Sequence, residues 1–155
     1  MIALVLAFHT MASLVWVGGM FFTLIILRPA MVSLPVEQRL ALWKNVLGRF
    51  FHWVWISVAI LLTSGYGVVI FGYEGFAALG LHIHIMQVTG LIMMALFVGM
   101  WCSPWQDFRH AVDKSDTAAA AAAKALARIR LIVSINLPLG LFTSAVGATG
   151  GFWTY

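Results

Sequence analysis

Apolar residues along this chain fall in long continuous runs, not in the alternation of a half-buried strand. Four runs are free of Asp, Glu, Lys and Arg: residues 2–27, 50–73, 75–106 and 131–155. About 20 apolar residues cross the hydrocarbon of a bilayer, so each run predicts one transmembrane helix. The expected fold is all-α: an integral membrane four-helix bundle forming one domain over residues 1–155, with helices at about 2–28, 50–72, 80–105 and 118–148.

The stretches between the runs carry their own patterns. Ahead of the second run, Leu40, Leu42, Trp43, Val46, Leu47 and Phe50 interleave with Arg39, Lys44 and Arg49. That is the pattern of a short amphipathic helix lying at the interface in the first cytoplasmic connection and running into helix two. Helix three is expected to continue past Trp105, carrying Asp107, Arg109 and His110 into the headgroups. Ser115, Asp116 and Thr117 then offer N-caps, and the alanine run 118–123 has high helix propensity for the start of helix four. Pro138 frees a backbone carbonyl within that helix and predicts a kink.

Composition narrows the class. At 63% hydrophobic and 9% charged, a chain of 155 residues cannot cover its apolar surface as a soluble domain. The pI near 9.7 would suit nucleic acid, but all nine Lys and Arg lie between runs one and two or between runs three and four. That distribution encodes membrane topology instead: both basic connections inside, both termini outside. The first run lacks a basic leader and is too long for a signal-peptide core, so it is expected to be a retained helix. A single cysteine, Cys102, excludes a disulfide framework and a thiolate cluster.

One ionisable side chain, His9, lies well inside the first run, where such a group is costly and marks a functional site. At about 100° per residue it shares a stripe with Ser13, Trp16, Met20 and Leu27, while Gly18 and Gly19 lie off its centre and permit a close neighbour. Topology puts His9 about 10 Å below the outer end of helix one. His82 and His84 open helix three in the same leaflet, whereas His52 lies roughly 25 Å away in depth. Two imidazoles from different helices in an apolar bundle fit a b-type haem with axial His9 and His84 or His82, beside the small residues Thr10, Ser13, Gly18 and Gly19. They also fit copper, since His82, Met86, Met93 and Met100 form a stripe with Met94 and Cys102 nearby. The plainer readings are a histidine that only bonds a neighbouring helix, a methionine stripe that only packs, and Asn136 as an interhelical hydrogen bond in place of a cofactor contact.

The ordered pattern of His9, Trp16, Gly18, Gly19, Phe22 and Arg28-Pro29 continues with Thr63-Ser64-Gly65, Leu81-His82-Ile83-His84, Arg130 and Asn136-Leu137-Pro138. It resembles the copper-resistance protein D (CopD) family of bacterial inner-membrane proteins and the related HemJ-type protoporphyrinogen oxidases, across all four helices. The CopD side implies copper uptake or tolerance. The HemJ side implies a bound b haem and porphyrinogen oxidation, with His9, Trp16 and Gly19 matching that family's first helix. Where that family has a histidine and then a lysine opening helix three, this chain has His82 and His84. The lysine is absent, and His84 offers iron a second axial ligand. Leu137 replaces the acidic residue before the proline.

The leading expectation is therefore a haem-b protein with His9 and His84 as ligands and a redox or haem-handling role. A quinone or an outward-facing redox protein would be its electron partner. Copper transport or tolerance is the alternative, and a homodimer would suit four short helices. No carboxylate lies within a run, so catalysis has no acid or base at depth except histidine, and an oxidoreductase activity stays open.

Overall fold

The computed structural model describes residues 2–72, 79–114 and 119–153. Four helical stretches are long and apolar enough to cross a membrane, and no strand occurs among the described residues. Helix α1 runs Ile2–Ala30, α2 Val36–Gly72, α3 Leu81–Cys102, α4 Pro104–Asp113 and α5 Ala119–Thr149, closed by a 3-10 turn at Gly150–Phe152. α1 packs chiefly on α2, and α3 and α4 pack on α5. The exposed surface of the spans is apolar, with Leu14, Ile25, Ile70, Phe71 and Leu131 among its large residues. Such a surface is at home only against acyl chains, and the chain is a multi-pass membrane protein.

Local chemistry explains where the helices bend and stop. In α1 the turn Phe22–Leu27 widens to π-helix. Just there the Thr23 hydroxyl donates to the Met20 carbonyl at 2.9 Å, competing with the backbone ladder. The amphipathic stretch ahead of residue 50 is not a separate interfacial helix. It forms the first turns of α2, which at 37 residues is about 55 Å long and overshoots the hydrocarbon. Leu40, Trp43 and Leu47 are buried in the same core as Trp105, Phe108 and Leu126. Protein, not the bilayer surface, covers its apolar face.

The third helical stretch runs on past Trp105 to Asp113, but with a break: α3 ends at Cys102, Ser103 takes φ −124° and ψ −77°, and Pro104 begins α4. Proline lacks the N–H that would continue the ladder and disfavours helical backbone in the residue before it. Pro138, by contrast, lies inside α5 without ending it. The alanines of α5 let α4 approach, with Ala122 and Ala125 both buried. Ser115, Asp116 and Thr117, read as N-caps, lie outside the described residues, as does Glu74.

The bundle is filled unequally along its length. Toward the basic end an aromatic cluster closes the interior. Phe51 meets Trp105 edge-on at 5.1 Å and Phe97 at 5.7 Å, and Phe97 meets Trp16 at 6.1 Å and Trp55 at 5.1 Å. Phe51, Phe97 and Phe108 are the largest fully buried side chains. The opposite half is hollow.

Candidate functional site

That hollow is a cavity of about 540 Å³, walled by all four spans. Glycines explain why it exists: Gly65, Gly90, Gly140 and Gly147 stand in its wall and carry no side chain to fill it. A Cβ on Gly140 would press on Val17 at 2.8 Å and Met93 at 3.0 Å, so α5 can come this close only as glycine. Most of the wall is aliphatic. Its polar members are His9, Thr10 and Ser13 from α1, Tyr66 from α2, Gln87 from α3, and Thr143 and Ser144 from α5. Three thioethers join them, Met86, Met93 and Met94.

His9 is held by α2. Its Nδ1 lies 2.7 Å from Ser64 Oγ, and the Ser64 hydroxyl in turn lies 2.5 Å from the Ile60 carbonyl. The direction of this relay follows from counting hydrogens. A carbonyl only accepts, so the single hydroxyl proton goes to Ile60, and Ser64 Oγ must accept from His9 Nδ1–H. A neutral ring held this way has its lone pair on the other nitrogen, Nε2. A Cβ built on Gly65, next to Ser64, would stand 3.5 Å from His9 Cε1, so the ring packs directly on α2. Metal-ligating histidines are commonly oriented by such an outer hydrogen bond.

The structure gathers some of the expected residues and disperses others. His9, Ser13, Trp16, Met86 and Met93 share the cavity wall. His84 is exposed and does not line the cavity. His82 packs on the last turn of the chain, against Gly150 and edge-on to Trp153 at 6.2 Å. Among the described residues the cavity wall carries one imidazole, that of His9. His82 and His84, about 200° apart on an ideal helix, are not part of it. Gly18 meets nothing within 4 Å, and Gly19 is the seat of the Phe50 ring. Asn136 is buried and donates from Nδ2 to the Met93 carbonyl at 3.2 Å, tying α5 to α3 outside the cavity. Met100 is part of the aromatic core and Cys102 is exposed at the far end of α3, so neither extends a copper path.

Ser64, Gln87, Tyr66, Thr143 and Ser144 were not foreseen in these roles. Ser64 stands in the Thr63-Ser64-Gly65 motif, the one signal that pointed to it. Gln87 and Tyr66 lie inside apolar runs with no motif around them to mark them.

The donor chemistry is selective. An imidazole and three thioethers in one largely apolar wall are donors of the kind that suits a soft ion such as Cu(I). The family model for copper resistance protein D matches residues 44–150. The chain belongs to the copper resistance protein D family. The match takes in α3, α4, α5 and most of α2, while α1 with His9 precedes it. No curated protein and no solved structure matches the chain. As a copper resistance protein D family member it is a multi-pass membrane protein of the copper-resistance type, and the relation to HemJ-type oxidases finds no support.

Proposed function

We propose that this protein handles Cu(I) in the bacterial inner membrane, taking the ion as cargo into the cavity between its four spans. The observation that carries the reading is His9, bonded through Nδ1 to Ser64, in one wall with Met86 and Met93. A monovalent ion on neutral ligands brings little uncompensated charge into an apolar interior. Thioether ligands favour the reduced ion over Cu(II). The aromatic cluster on the basic side gives the ion no continuous polar route, so the resting state is a binder open to one half of the membrane. Passage to the other side requires Phe97 and its neighbours to move.

The test is anaerobic competition of the detergent-purified protein against a chromophoric Cu(I) chelator. One Cu(I) per chain is expected. His9→Ala should weaken binding at least tenfold, and Met86→Leu combined with Met93→Leu by a similar factor. Binding that is absent, or unchanged in both variants, refutes the reading. A Soret band that survives purification and disappears in His9→Ala would return the cavity to haem b.

A further inference from the structure

The basic end of the bundle carries a cation cluster that copper handling does not use. Arg28 ends the apolar part of α1, Arg39 lies in the second turn of α2, and Arg130 lies on α5. The Arg130 guanidinium sits 5.4 Å over the Trp43 ring, and Trp43 lies one turn after Arg39 on the same face of α2. No carboxylate answers them: among the described residues the one ion pair is Lys44–Asp113. Arg130 Nε is moreover buried and has no hydrogen-bond partner. Three helices thus carry arginines at the basic end of the bundle with no carboxylate paired to them. An anion at the surface relieves their repulsion, since guanidinium forks match phosphate oxygens.

Depth identifies the anion. The apolar run of α1 ends at Leu27 and Arg28 follows directly, so the cluster stands where hydrocarbon gives way to headgroups. A zwitterionic headgroup brings its own cation, which three arginines would repel. We propose that Arg130 over Trp43, with Arg39 and Arg28 at the same end of the bundle, binds the phosphate of an anionic phospholipid headgroup, and that the bound lipid pins α1, α2 and α5 together.

The test uses the full-length protein, delipidated in a neutral detergent and followed by thermal unfolding and native mass spectrometry. Phosphatidylglycerol should raise the midpoint by about 3 °C or more and remain as a bound adduct. Phosphatidylcholine and inorganic phosphate at equal concentration should not. Arg130→Gln and, separately, Arg39→Gln should each lose the adduct and the shift, while Lys124→Gln, which removes an exposed cation elsewhere on α5, should keep both. If Arg130→Gln fails to fold, Arg39→Gln decides the matter. An equal shift with phosphatidylcholine, an equal shift with inorganic phosphate, or a full phosphatidylglycerol shift retained in Arg39→Gln would each overturn the proposal.

Discussion

Replacing Ser64 by alanine separates ring orientation from ring presence. Ser64 Oγ lies 2.7 Å from His9 Nδ1 and 2.5 Å from the Ile60 carbonyl. The substitution leaves the Ile60 carbonyl with its helical bond but takes the acceptor from His9 Nδ1–H. An interhelical hydrogen bond within a membrane is worth about 0.6 kcal/mol on average and at most about 1.7, so the fold should survive. The imidazole can then turn, or move its proton to Nε2, and in either case the lone pair is no longer aimed into the cavity. Loss of an outer partner of a metal-ligating histidine lowers affinity about 10–100-fold, equivalent to about 1.4–2.8 kcal/mol. That exceeds the stability cost, and the comparison makes the test discriminating. Cu(I) competition should show the 10–100-fold loss in Ser64→Ala with the thermal midpoint nearly unchanged, and Ser64→Thr should restore binding because it keeps a hydroxyl acceptor. If Ser64→Ala binds Cu(I) within twofold of the wild type while His9→Ala does not bind, the hydrogen-bond relay has no role in orienting the ring.

Gly90 lines the cavity with no atom within 4 Å of an added Cβ, so Gly90→Leu should grow into the space. It should reduce Cu(I) uptake without lowering the thermal midpoint. Phe51 is fully buried among Phe97, Trp101 and Trp105; Phe51→Ala should cost about 3–5 kcal/mol, read as a large fall in midpoint. Asn136 contributes one interhelical bond and keeps a buried, unpartnered Oδ1. Asn136→Leu should therefore change stability by less than about 1 kcal/mol and leave copper binding intact, as equilibrium unfolding and chelator competition would show.

The lengths and charges of the runs already determined four membrane-crossing helices, because the hydrocarbon has a fixed thickness and tolerates no unpaired backbone or charge. His9 was legible for the same reason, as the one ionisable side chain deep in the first run. Helix boundaries were less legible. Apolarity alone carries helix three straight through Pro104, which breaks the helix at Ser103, and nothing local announced that α2 would run unbroken from Val36 to Gly72. Which residues meet His9 depended on tertiary structure, because a neighbour across a bundle is set by the rotation and depth of two helices at once. A shift of one residue rotates a side chain by about 100°. Periodicity along α3 therefore could not tell Met86, which reaches the cavity, from His84, which does not. Only the assembled bundle decided that His9 would find Ser64 instead of a second imidazole, and that glycines on three helices would leave the space beside it open.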